Sequence, residues 1–118
     1  MSTHVFGEPD RLSVEAKLGH QIRHFPSPSE LTNSNHLIVE IDGQLPVSLV
    51  QKECDFVYYI LEGKGTFYIN DRPEPCAHDN LVVIPKGTKF SYEGSSLRML
   101  LSSTPPWHAD QELAFDND

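Results

Sequence analysis

The chain is poor in cysteine, in positive charge and in long apolar runs, and each shortage closes off a class of protein. Cys54 and Cys76 are the whole cysteine complement of its 118 residues. Two are too few for a disulfide scaffold, and they lack CxxC spacing. Reduced thiols fit a cytoplasmic protein, and a pairing of the two stays open if they fall on neighbouring strands. Nine Lys and Arg against seventeen Asp and Glu give a formal charge of −8. That argues against a nucleic-acid partner, whose phosphates call for a basic footprint. No window approaches the ~20 apolar residues of a membrane span. The opening MSTHVFGEPDRLSVEAKLGH has acidic residues and no apolar run, so it does not read as a signal peptide.

Long helical patterns are also missing. Nine prolines and seven glycines are spread along the chain, which suits short strands and frequent turns. RLSVEAKLG reads as a helical turn or an irregular strand, FPSPSE as loop, and TNSN as a turn cluster. From His36 the pattern becomes apolar and β-branched. HLIVEIDGQLP is a strand running into a DG turn signal, PVSLVQK a second strand and FVYYIL a third. EGKG then turns the chain into TFYIN, DRPEP turns it again, and NLVVIP is an apolar run of strand length. KFSYEGSS leads into LRMLLSS, where Leu97, Met99 and Leu101 share one parity and point inward. The prolines of TPPWHADQELAFDND close the last strand, Trp107 packs on the outside, and the acidic end frays. One all-β domain follows, a sandwich or barrel. Residues 1–35 form an irregular N-terminal segment, 36–107 the barrel and 108–118 an acidic tail.

The order YYILEGKGTFYI, HDNLVVIPKGTKF, LRMLLSSTPPW resembles the cupin family of small jelly-roll β-barrels over about residues 36–107. Its members carry two motifs, roughly G-x5-H-x-H-x3,4-E-x6-G and G-x5-P-x-G-x2-H-x3-N, whose histidines and glutamate hold one metal ion. Gly63 takes the place of the closing glycine of the first motif. Pro85 and Gly87 match the second, with Asp79 where its opening glycine is expected. The ligand positions fall on Phe56 for the glutamate and on Val50 and Lys52, or Leu49 and Gln51, for the paired histidines. The third histidine falls on Phe90, and the closing asparagine on Gly94. A divalent ion needs imidazole or carboxylate donors. Val50, Phe56 and Phe90 have no lone pair to offer and Lys52 brings a positive charge, so no metal and no other cofactor is expected.

Six histidines could have moved the site: His4, His20, His24, His36, His78 and His108. His20 and His24 would share a face on a helix or a strand, yet GHQIRHFPSP runs into proline, and the pair reads as surface or edge histidines. His78 lies in a turn and His108 beside Trp107, and both read as exposed.

If inward parity follows the family, the barrel interior carries Lys52, Phe56, Tyr58, Phe90, Tyr92 and Met99, with His36 as a hydrogen-bonding wall residue. Such an aromatic pocket with a few polar groups suits a small organic molecule. Lys52 could pair with a carboxylate or phosphate, and Tyr58 or Tyr92 could serve as general acid, as in the metal-free sugar epimerases of this fold. Cys54 would be a nucleophile only as a stabilised thiolate. Each has a plainer alternative: Phe56 and Phe90 as core, Lys52 reaching into water, Tyr58 bonded to a carbonyl. The reading preferred is a metal-free cupin that binds a small organic molecule. The others are an isomerase, cyclase or lyase using Lys52 and the tyrosines, and a non-catalytic dimeric module. The resemblance also implies a homodimer, with the N-terminal segment contributing an edge strand.

Overall fold

A computed structural model describes residues 5–7, 19–26 and 31–116, and the backbone of 12–13. His4, most of RLSVEAKLG and the end of FPSPSE lie outside them. The strands, in chain order, are β1 (Leu12–Ser13), β2 (His20–His24), β3 (Asn35–Gln44), β4 (Val47–Gln51) and β5 (Asp55–Ile69). They continue as β6 (Arg72–Ala77), β7 (Leu81–Ile84), β8 (Lys89–Thr104) and β9 (Glu112–Asp116), with a 3-10 turn at Ala109–Gln111. This is the all-β jelly-roll barrel the sequence pattern implies.

Two long strands organise it. β8 is flanked along one side by β5 and along the other by β3 and then β4, all antiparallel. β5 carries β7 and then β6 on its far side. β2 extends the sheet beyond β3, and β9 extends it beyond β4. The sheet therefore takes in 20–24 and 112–116, beyond the 36–107 span. The acidic end is a paired strand as far as Asp116 because the alternation of Leu113 and Phe115 supports a ladder with β4.

Two turns expected from glycine prove to be bulges. EGKG lies inside β5, where the register to β8 shifts between Ile60 and Lys64. Upstream, Phe56, Tyr58 and Ile60 point inward, and downstream Phe67 does, so inward parity flips. β8 flips at the same level, from Phe90 and Tyr92 to Leu97, Met99 and Leu101. The bulge bends each strand and lets it serve both walls of the barrel. A Cβ on Gly65 would sit 2.1 Å from the Glu93 carbonyl oxygen, so glycine permits the close strand approach here. Likewise β3 runs through the DG pair with a shift between Ile41 and Gly43, and the chain reverses after Gln44. The one tight hairpin turn on β5 uses Asn70 and Asp71, both at positive φ, which is the twist that such turns favour. Pro73 and Pro75 then lie in β6, an edge strand, where a missing amide breaks no central ladder.

The core lies inside the curled sheet and includes Val39, Ile60, Phe67, Phe90, Leu97 and Met99. Trp107 packs against it, half-buried. Cys54 and Cys76 are buried, free thiols. Among the described residues, no helix is long and apolar enough to cross a membrane.

Gly63 combines φ +81 with a would-be Cβ only 2.3 Å from the Ser96 carbonyl oxygen, whereas Gly87 at φ +82 faces open space. Gly63→Ala is expected to destabilise by roughly 1–3 kcal/mol or more, and Gly87→Ala by about 1 kcal/mol. Thermal unfolding of the two variants side by side checks the order.

Candidate functional site

Inward parity brings five of the expected site residues together. Phe56, Tyr58, Phe90, Tyr92 and Met99 are all buried inside the barrel. Phe56 and Phe90 meet edge to face with ring centroids 6.2 Å apart, and Tyr58 lies 5.9 Å from Tyr92 by the same measure. Phe67 adds a further ring, 5.1 Å from each tyrosine.

Two expected residues do not join them. β4 buries Val47, Leu49 and Gln51 and ends there, so Lys52 falls beyond the inward alternation and is exposed to water. On β3 the inward residues are Leu37, Val39 and Ile41. His36 has the opposite parity and bonds on the outer side to the Ser102 hydroxyl at 3.0 Å. Cys54 is wholly buried with its Sγ 3.8 Å from the Pro106 carbonyl oxygen, so it is not at a rim.

The polar side chains in the interior are different ones. His20, on β2, lies opposite the core residue Ile41 and shares its face. It is 6% exposed, and its Nδ1 is 2.7 Å from the Tyr92 hydroxyl oxygen. Tyr58, 2% exposed, stands beside Tyr92, itself 1% exposed, and bonding between their hydroxyls is one of the lesser causes acting on the two phenols. The Tyr92 hydroxyl is within donating distance of His20 Nδ1. Three polar groups thus stand in series: Tyr58, Tyr92 and His20. His24 points to the same side of β2 and burial lowers its pKa, favouring its neutral form.

A second group stands where β4 meets β9. Gln51 and Glu112 are directly opposed in the ladder, so they share a face. Gln51 is 1% exposed and donates from Nε2 to Glu112 Oε1 at 2.8 Å. Gln111, fully buried, donates in turn to Gln51 Oε1 and accepts from the Glu53 amide at 3.2 Å. The Glu112 carboxylate is close enough to raise both Tyr58 and Tyr92, although burial is the larger cause for each.

His20 left a faint trace in the sequence. In a strand, His20, Ile22 and His24 fall on one side, and an apolar residue between two histidines marks that side as inward. Gln51 falls on one of the alternative histidine positions of the family motif, but its meeting with Glu112 left no trace, because it depends on register between strands 61 residues apart.

A metal at the family position does not fit the residues there. Phe56 and Phe90 are packed ring against ring, Lys52 points to water, and Val50 is a hydrocarbon. Among the described residues, no three of His, Cys, Asp or Glu stand together as a ligand group.

No protein-family model matches the chain, and no curated protein matches it in sequence. Solved structures do match in shape. A variant of Streptomyces Pac13 with uridine superposes with a TM-score of 0.86 at 17% identity, covering 98% of this chain and 93% of that one. Pac13 is described as a nucleoside dehydratase. Ectoine synthase from P. lautus follows at 0.70 and 14% identity, over 90% and 82% of the two chains. The cupin domain of Schizosaccharomyces pombe Cnp3 gives 0.68 and 16%, over 86% and 73%. The chain has the cupin fold. The interior of this barrel differs from the metal-binding pattern of the cupin family, with tyrosines, carboxamides and a histidine from β2 supplying the polar atoms.

All four tyrosines are raised above their ordinary value of 10.0: Tyr58 and Tyr92 by burial, Tyr59 and Tyr68 by donating to Asp79 and Glu93. The folded protein therefore holds these protons when the unfolded chain begins to lose them. Stability contributed this way is intact below pH 10 and declines as pH rises beyond it. Folded protein at pH 10 should show little tyrosinate absorbance, while protein in denaturant shows about half of the full signal. Urea midpoints should fall steadily above that pH, and less steeply in Tyr92→Phe.

Proposed function

We propose that this cupin barrel processes a small polar organic molecule by proton transfer, without a metal, using Tyr58, Tyr92 and His20. The observation that carries the reading is the 2.7 Å bond between a buried imidazole and a buried phenol. A hydroxyl or imidazole taken out of water costs stability unless bonded, and hydrocarbon would fill the same volume at lower cost. Retaining three such groups in series suits a path for protons.

In this reading a proton taken from substrate carbon or oxygen is accepted by Tyr58 as Tyr58 passes its own to Tyr92 and Tyr92 passes its own to His20 Nδ1, which becomes imidazolium. Delivery runs the same path in reverse: His20 returns a proton to Tyr92, Tyr92 to Tyr58 and Tyr58 to an oxygen on the substrate, leaving the imidazole neutral. Elimination of water and isomerisation both need this pairing of a proton removed with a proton delivered. Similarity of fold to a nucleoside dehydratase and to a synthase supports small-molecule chemistry on this barrel. Free buried thiols support a reducing, cytoplasmic setting, and the acidic charge supports a partner other than nucleic acid.

A second reading, a filled dimeric scaffold, draws on the close packing of Phe56, Phe67 and Phe90. A homodimer is compatible with either reading. β7 is an edge strand, and Tyr59, Leu81 and Val83 are exposed on its outer side. Antiparallel pairing of β7 with a second copy about a two-fold axis sets Asp79 opposite Lys86 of the copy, an attractive match at both ends.

Four measurements test these statements. Protein purified without a histidine tag should carry substoichiometric transition metal and should bind uridine or another nucleoside or sugar in calorimetry. Tyr92→Phe and His20→Gln should leave the fold intact and reduce turnover of whatever substrate is found by about 10²–10⁴-fold. A stoichiometric metal needed for turnover would defeat the reading, and a barrel that binds nothing would favour the scaffold. Sedimentation should show a dimer that Val83→Lys converts to monomer.

A further inference from the structure

If the barrel takes a small molecule, as proposed above, its interior has a charge preference. The β4–β9 register turns two carboxylates to the same face as buried Gln51: Glu112, directly opposite Gln51 and partly buried, and Asp116, opposite Val47 and exposed to water. Glu112 is also fixed in place. Gln51 donates to it, Gln111 donates to Gln51, and the Glu53 amide anchors Gln111. Three successive bonds leave the carboxylate little freedom to swing away from an incoming ligand.

No cation among the described residues offsets that charge inside the barrel. Arg23, Lys89 and Arg98 pair with Glu40, Asp71 and Glu62 toward solvent. Lys52, Lys64, Arg72 and Lys86 are exposed. Lys52, the one amine expected to anchor an anion, is therefore absent from the interior. What remains for a ligand is neutral phenol, imidazole and carboxamide, with one negative charge among them.

We propose that Glu112 makes the site selective for uncharged molecules bearing hydroxyl or amino donors, and excludes carboxylates and phosphates. A neutral ligand can donate to the carboxylate while accepting from Tyr58. An anion brings like charge into a region where water screens poorly, and it finds no cation in return. The raised phenols agree with this arrangement, since a phenolate would be a second negative charge near Glu112 and is opposed in the same way.

The test uses matched pairs in calorimetry on the full chain: uridine against uridine 5′-monophosphate, and a free hexose against its 6-phosphate. In each pair that binds, the neutral member should bind roughly tenfold tighter or more. Glu112→Gln keeps the shape and a donor–acceptor group beside Gln51, and it should close most of that gap. A melting temperature near that of the parent would show that the variant is folded. A phosphate bound as tightly as its neutral twin overturns the inference and leaves the small-molecule reading standing, and so does a gap unchanged by Glu112→Gln. Failure of both members of both pairs to bind counts against the small-molecule reading itself and removes this inference with it.

Discussion

The pairing of β5 with β8 runs from Asp55 opposite Thr104 to Ile69 opposite Phe90, and every other strand attaches to one of these two directly or through a neighbour. Both strands bulge at the same level, around Gly63 on one and Ser96 on the other, and both exchange inward parity there. One pair of strands thus contributes inward residues to both walls of the barrel. Phe56 and Tyr58 come from before the bulge of β5, and Phe67 from after it. Phe90 and Tyr92 come from one side of the bulge of β8, and Met99 from the other. Without the double flip, half of these rings would face water.

The same constraint explains the polar interior. Tyr92 reaches the middle of the barrel on β8, and the β2–β3–β8 ladder carries His20 to within hydrogen-bonding distance of it. The β4–β9 ladder delivers Glu112 beside Gln51. Two small networks thus enter from separate sheet extensions. Burial and the carboxylate act together on the phenols, and both act to keep the phenols protonated. An acid that holds its proton at neutral pH and sits in a bonded series is suited to proton delivery.

Much of the barrel could be read along the chain, because strands announce themselves locally. Apolar and β-branched residues at period two mark β3, β5 and β8, and Pro85 and Gly87 close β7. Glycine was the weaker guide. The residues of EGKG and DG look alike whether they reverse a strand or bulge it, since positive φ and close backbone approach serve both. Phe56, Tyr58, Phe90, Tyr92 and Met99 were placed correctly by parity. Lys52 and His36 were misplaced for the same kind of reason: parity holds only within a strand and in the right phase. Lys52 lies one residue past the end of β4, and His36 is one step out of phase with Leu37.

By itself the sequence determined the strand-forming segments, the acidic surface and the lack of donors at the family's metal positions, since each depends on residue identity and near neighbours. Which histidine enters the barrel, and which carboxylate meets the tyrosines, was decided by tertiary structure alone. His20 is 72 residues from Tyr92, and Glu112 is 61 from Gln51. Over such separations only the register of paired strands sets which side chains meet, and register follows from the packing of the whole sheet.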